Sequence, residues 1–222
     1  MANMSQDTLI KYNHELAFWR GRFANDKGTF QNSHFENLFL SMAQETSSEF
    51  TNGKAIADFG CGPRGSLVWA KEAAVRIGID VLADYYIDLF SSDIKKHGML
   101  YLKSTENNIP MPSDFVDVMF TLNAIDHVDN FQQMCNEIYR VMKVGAEFIG
   151  SFNLEEPASS TEPQKLTEDN IKRNLLNKLT IKSYRTSKRH HGDNPYVYML
   201  DNNFNYTKGQ EGFLWVRAIK EK

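Results

Sequence analysis

Cysteine is scarce in this chain, with Cys61 and Cys135 the two thiols among 222 residues. Two thiols make no disulfide framework, so an apolar core must hold the fold and a reducing cytoplasm is the expected setting. No apolar run approaches bilayer-spanning length, and the opening Met-Ala-Asn-Met-Ser-Gln-Asp lacks the apolar centre of a signal peptide. One-sided charge is missing as well. Lys and Arg total 25 against 28 Asp and Glu, a net charge of −3, which gives no global pull toward nucleic acid or anionic membrane. There is no internal repeat and no low-complexity tract. His190-His191 with Asp193 lacks the spacing of a metal site, and no metal is expected.

What is present fits one α/β unit. A length of 222 residues suffices for a single sizeable domain and is short for two. The chain is organised around Ala55-Ile56-Ala57-Asp58-Phe59-Gly60-Cys61-Gly62-Pro63-Arg64-Gly65. A short apolar run ends in an acid and breaks into three glycines within six residues, then resumes as Ser66-Leu67-Val68-Trp69-Ala70. That order predicts a buried strand over 55–59, a tight turn and a helix near 66–73. Glycine suits a turn that needs unusual backbone angles and a bare surface for a ligand. Cys61 reads as a small turn residue, because no base is positioned to make it a nucleophile.

Before this turn, Leu9, Tyr12, Leu16, Trp19 and Phe23 recur at three and four residues and predict a helix over 5–24, begun by Ser5 or Asp7. Phe35, Leu38, Phe39, Met42 and Ala43 predict a second over 33–46. Residues 1–51 are therefore expected to form a helical cap on a unit spanning 52–222. After the turn, strands are expected at 74–79 (closed by Asp80), 99–102, 116–122 and 147–152. Helices are expected over 84–96 and over 131–142, the latter capped by Asp129 or Asn130 and ended by Gly145. A helix starting at Thr167 and strands at 180–186 and 213–219 complete the pattern. Such alternation implies a mainly parallel sheet covered on both faces, with ligands bound beyond the carboxyl ends of its strands.

Gly60, Gly62 and Gly65 have G-x-G-x-x-G spacing, and Asp80 follows about 20 residues on, where an acid binds ribose hydroxyls. Asp58 would repel a pyrophosphate and suits a ligand ammonium group. Asp58-Phe59-Gly60-Cys61-Gly62 resembles the glycine motif of class I S-adenosylmethionine-dependent methyltransferases. Arg76-Ile77-Gly78-Ile79-Asp80 is similar to that family's second strand. Thr105 to Pro112 with Phe115-Val116-Asp117-Val118 resembles its adenine-contacting loop. Leu122-Asn123-Ala124-Ile125-Asp126-His127-Val128 and Arg140-Val141-Met142-Lys143-Val144-Gly145 resemble its later segments. The resemblance covers about 52–153 and implies a three-layer, Rossmann-like fold on a seven-stranded, mainly parallel sheet.

It also implies roles. Gly60 and Gly62 would admit the methionyl part of S-adenosylmethionine, Asp58 would orient its ammonium group, and Asp80 would bind its ribose. Val81 would pack on adenine, Thr105 or Glu106 would meet the adenine edge, and Asn123 would lie near the sulfonium. His127 is the candidate general base, with Asp126 orienting it or binding substrate; the alternative is a structural His127. Trp19 is a candidate for closing over cofactor or substrate, although core packing explains its stripe as well. Phe18, Arg20 and Arg22 lie off that stripe, facing site or solvent. Arg64 is a candidate for a substrate carboxylate or phosphate.

The expected activity is methyl transfer to a small or medium-sized acceptor, with O-methylation favoured over N- or C-. The acceptor could be carrier- or nucleotide-linked, since Lys182, Arg185, Lys188, Arg189, His190 and His191 form a basic run. A solvated strand edge is the simpler account of that run, and nucleic acid is not the expected partner. Two other readings stand beside this one: a nicotinamide-dependent oxidoreductase on the same glycines, and a non-catalytic binding module of the same fold. The acceptor's identity and the oligomeric state are not written in the sequence.

Overall fold

The strands Ala55–Phe59 (β1), Val75–Asp80 (β2), Leu100–Lys103 (β3), Val116–Leu122 (β4), Met142–Leu154 (β5), Thr180–Lys188 (β6) and Gly212–Ile219 (β7) make one sheet. Their spatial order in the computed structural model, which describes residues 6–221, is β3-β2-β1-β4-β5-β7-β6. The first five pair in parallel, and β7 runs antiparallel between β5 and β6. The helices are Gln6–Asn25 (α1), His34–Ala43 (α2), Ala83–Leu89 (α3), Ser91–Ile94 (α4), Phe131–Val141 (α5), Glu168–Asn174 (α6) and Val197–Leu200 (α7). Ser5, one of the two expected starts of the first helix, lies outside the described residues.

Successive strand residues point to opposite faces, and the core divides accordingly. On one face Ala57, Phe59, Met119 and Phe148 meet Met134 and Ile138 of α5 and Ile171 of α6. On the other, Ile56, Val118, Phe120, Ile149 and Trp215 meet Phe35, Leu38, Phe39 and Met42 of α2. Each large apolar side chain so buried contributes about 1.5–3 kcal/mol, and β1, buried along its whole length, sits at the centre. Of the first 51 residues, α2 is thus a layer of the sheet itself, while α1 lies over the strand ends. Leu9, placed on the inward stripe by its spacing, is exposed, and the buried face of α1 is carried by Lys11 and Leu16.

Three expected elements differ, each for a local reason. No helix forms at 66–73; the segment is a series of turns. Its carbonyls are taken by side chains, with Trp69 Nε1 donating to Ser66 O at 2.9 Å and Arg76 Nη1 to Val68 O at 3.0 Å. The helix expected over 84–96 breaks at Phe90 into α3 and α4. Gly145 does not end α5, which passes straight into β5 at Met142. The carbonyls of Arg140 and Val141 accept instead from the N–H groups of Asp114 (3.0 Å) and Phe115 (2.8 Å), so no glycine cap is needed. Asn130 caps α5 by accepting from Gln133 N, and Thr167 with Asn170 forms a capping box on α6.

Candidate active site

The glycine turn rests on the carboxyl end of β2, where Gly60 N donates to Ile79 O at 2.8 Å. Gly60 has φ +73, and a Cβ there would lie 2.1 Å from Ala124 Cβ, so no larger residue fits. Gly62 has φ +55, with its bare Cα against the Trp19 ring of α1. Because turns follow instead of a helix, no helix N-terminus faces this turn, and the usual cradle for a dinucleotide pyrophosphate is missing. That weighs against the nicotinamide reading. Cys61 packs its sulfur toward Gly78, and burial pushes its thiol well up, which suits a structural role.

A cavity of about 960 Å³ opens above the ends of β1, β2 and β4. Asp58, Gly60, Gly62, Asp80, Val81, Glu106, Asn123, His127, Trp19 and Arg64 all line it. The Asp58 carboxylate is buried, with Oδ2 accepting from Ser66 Oγ and Oδ1 without a partner. Burial raises its pKa to about 7, the Ser66 bond opposes that rise, and the charge of Asp80 adds to it. Asp80 accepts from Leu82 N at 2.9 Å and Gly62 N at 3.1 Å; burial still lifts its pKa to about 6. Two carboxylates held this way are poised for a cationic or hydroxyl-bearing ligand.

Helix α1 walls the cavity and is fastened across it. Lys11 Nζ, buried, reaches Glu106 Oε1 at 2.8 Å, Asp129 Oδ1 at 2.7 Å and the His127 carbonyl at 3.0 Å. Tyr12 donates to the same Glu106 oxygen at 2.8 Å. Of the pair expected at an adenine edge, Glu106 is therefore committed to α1. Thr105 is exposed and turned to its own loop, accepting from Asn107 N. The neighbouring Ser104 takes the cavity position instead, buried with an unpartnered hydroxyl.

His127 and Asp126 separate. His127, in a 3-10 turn at 125–127, lines the cavity with Nδ1 3.2 Å from Glu15 Oε1 and Nε2 3.6 Å from Glu162 Oε1. Burial alone would lower its pKa, but the Glu15 hydrogen bond and the charges of Asp126, Glu15 and Glu162 outweigh it and raise the value to about 9. An imidazolium facing two carboxylates has no free nitrogen to take a proton, which favours the structural alternative for His127 over the general base. Asp126 lies off the cavity lining, held by Asn153 Nδ2 at 2.7 Å. Asn123, with φ +46, is fixed by donating to Tyr196 OH at 3.0 Å and accepting from Ser151 Oγ at 2.7 Å.

Trp19 does two jobs, packing edge-on to Phe30 and Tyr86 while its ring meets Gly62. Arg64 donates to the Gln31 carbonyl and lies over the Phe35 ring. Phe18 and Arg22 line the cavity, and Arg20 does not. The sequence reading missed Lys11, Glu15, Glu162, Ser104 and Tyr196. For α1 a signal existed: Lys11, Glu15, Phe18 and Arg22 recur at four, three and four residues, a second stripe beside the apolar one. Much of the basic run is absorbed structurally, with Arg185 bonded to the carbonyls of Ser41 and Met42 and Arg189 paired with Glu156. Among the described residues, no cluster of three or more metal-ligating side chains occurs, and no helix is long and apolar enough to cross a membrane.

Residues 57–150 match a family model described as a methyltransferase domain. A sterol 24-C-methyltransferase of Eremothecium gossypii is 26% identical over 181 residues, which is 74% of this chain and 47% of that protein. The chain thus spans about half the length of that curated relative. An S-adenosylmethionine dependent methyltransferase from Mesorhizobium loti superposes with a TM-score of 0.56 at 16% identity, over 76% of this chain and 92% of its own. The [4+2]-cyclase SpnF superposes with a TM-score of 0.62 at 16% identity, over 84% and 81%. At such identities the structural likenesses establish the fold alone.

Proposed function

Because this chain carries a class I S-adenosylmethionine-dependent methyltransferase domain, we propose that it transfers a methyl group to an oxygen of a small or medium-sized acceptor. The observation that carries the proposal is the unpartnered, buried Oδ1 of Asp58 beside the glycine turn. A buried carboxylate oxygen left unpaired costs about 1–3 kcal/mol or more, and a ligand ammonium group removes that cost. The rest of the lining fits the same cofactor. Asp80 would take ribose hydroxyls on its remaining lone pairs, Val81 would lie against adenine, and Ser104, with Glu106 behind it, would meet the adenine edge.

When bound, the cofactor supplies an electrophilic methyl carbon on a positively charged sulfur. The chain's own work is to hold the acceptor in line, exclude water and move one proton. Alignment of this kind is worth about 7–11 kcal/mol of barrier in favourable cases. Glu15, His127 and Glu162 together carry one net negative charge when the imidazole is protonated. Their carboxylates, with Glu162 raised by burial, would receive the acceptor hydroxyl proton while His127 holds them in place. Asp126 has no contact with the cavity and is a positioning residue for the turn that carries His127.

Calorimetric titration with S-adenosylmethionine and S-adenosylhomocysteine tests the reading. Binding of both, weakened at least tenfold by Asp80→Ala, is expected. Absence of binding by folded protein would overturn it. The likeness to a cyclase of the same fold motivates a second reading, a cofactor-binding protein without methyl transfer. Cofactor bound but never demethylated across an acceptor panel would favour that second reading.

A further inference from the structure

The cavity has two poles of opposite charge, and the cofactor reading uses one of them. Asp58, Asp80, Glu106, Glu15 and Glu162 make the acidic side, and Asp193 lines the cavity from the segment after β6. The other side holds Arg22 from the last turn of α1, Arg64 from the β1–β2 loop and His34 at the start of α2. Arg64 has Nη2 on the Gln31 carbonyl, sits 3.9 Å from Asp26 Oδ2, and leaves its buried Nε without a partner. The Arg22 guanidinium makes no hydrogen bond or ion pair among the described residues. Asp26 is thus one carboxylate set against two guanidinium groups, and its Oδ2 also accepts from Gln31 N at 3.2 Å. The imbalance is felt locally: burial lowers the pKa of His34 and Arg64, and repulsion from Arg22 lowers both further. The wall beside this pole is apolar, with Phe35 under the Arg64 guanidinium and Leu38 and Leu200 next to it.

We propose that the methyl acceptor is an apolar molecule bearing a carboxylate or phosphate, its anion held between Arg22 and Arg64 beside His34 and its body against Phe35, Leu38 and Leu200. The inference rests on the methyltransferase reading for what is done to the acceptor, and on the cavity alone for what the acceptor is. An anion at this pole satisfies the buried Nε of Arg64, relieves the repulsion between the two arginines, and makes charge-assisted hydrogen bonds that a neutral analogue cannot. The cofactor's amino-acid end is a zwitterion whose ammonium belongs at Asp58. Two guanidinium groups on separate elements exceed what its single carboxylate needs.

The test uses the full chain, alone and saturated with S-adenosylhomocysteine, titrated by calorimetry with 1-naphthoate, naphthyl phosphate and neutral 1-naphthamide. One or both anions should bind at least about tenfold more tightly than the amide, the range of one or two charge-assisted hydrogen bonds. Arg22→Gln and Arg64→Gln should each cut that preference to about threefold or less with amide affinity unchanged. Arg22→Gln serves as the fold-neutral variant, since Arg64 also packs on Phe35. Equal affinities, or a preference that both variants retain, overturn the proposal. Loss of S-adenosylhomocysteine affinity with the preference intact assigns the arginines to the cofactor carboxylate and overturns it too. Failure of the wild-type chain to bind S-adenosylhomocysteine strikes the methyltransferase reading instead, and the titrations of the unloaded chain still decide the anionic pole.

Discussion

Lys11 on α1 and Glu106 on the loop after β3 are 95 positions apart in the chain and 2.8 Å apart in space, with Lys11 Nζ on Glu106 Oε1. The same ammonium reaches Asp129 and the His127 carbonyl, so one buried side chain ties the first helix to the loops following β3 and β4. Those loops and α1 are opposite walls of one cavity. The bond closes the site as much as it holds the fold.

Removing Lys11 therefore leaves Glu106 in a site built for a cation. Lys11→Met should destabilise the protein by about 3 kcal/mol, within the range for breaking a buried pair from one side. Urea unfolding followed by fluorescence would measure this, and a cost below about 1 kcal/mol would place the pair with weak surface bridges. The double variant Lys11→Met with Glu106→Gln should recover part of the loss, because the second change removes the stranded charge.

Asp58 and Asp80 make cofactor binding a protonation event. Burial raises Asp58 to about 7 and Asp80 to about 6, so near pH 6 Asp58 holds its proton in the free protein. A ligand ammonium at Oδ1 favours the ionised form, and binding at that pH should release protons. Calorimetry in buffers of different ionisation enthalpy would count them. Release should fade above pH 8 and should vanish in Asp58→Asn, which should also weaken S-adenosylmethionine by about tenfold to a hundredfold.

His127 gives a pH dependence of the other sign. Its folded pKa of about 9 lies above the ordinary 6.5, so folding favours the imidazolium. That stabilisation is complete below about pH 6.5 and is lost as pH rises through 9. With the ring partly open to solvent, its size should be on the order of 1–2 kcal/mol. Glu15→Gln should bring the His127 titration, followed by NMR of the imidazole Cε1 proton, back toward 6.5 and flatten the stability profile between pH 7 and 9. An unshifted titration would show that Glu15 is not the partner that matters.

The mainly parallel sheet and its ligand-facing strand ends were legible because the apolar runs at 55–59 and 116–122 and the Gly60-x-Gly62 turn are local signals. Asp58, Asp80 and Asn123 followed from their places at the carboxyl ends of the strands expected at 55–59, 74–79 and 116–122. What was not legible depends on side-chain and backbone pairings that no periodic pattern records. Trp69 and Arg76 divert the carbonyls that a helix at 66–73 would use. Backbone donors from Asp114 and Phe115 replace the glycine cap expected at Gly145. His127 looks like a base in sequence, and the approach of Glu15 from α1 and Glu162 from the loop after β5, added to the charge of Asp126, makes it a cation. Lys11 was hidden because a lysine on a helix reads as solvated until its three partners converge on it.

The glycine turn can be tested by separating backbone strain from contact. Gly62→Ala pays for a positive φ, about 1–2 kcal/mol for a residue with a Cβ, and also meets the Trp19 ring at 2.7 Å. Trp19→Leu in the same chain should remove the contact and leave the backbone cost, so the double variant should be less destabilised than the sum of the singles by about 1 kcal/mol or more. Gly60→Ala behaves differently, because its Cβ falls 2.1 Å from that of Ala124, a short side chain that cannot swing aside. It should cost more than Gly62→Ala, and Ala124→Gly, not Trp19→Leu, should relieve it. Thermal unfolding of the four single and three double variants would decide this. Relief of Gly60→Ala by the tryptophan change would mean that α1, and not the segment after β4, presses on the first glycine.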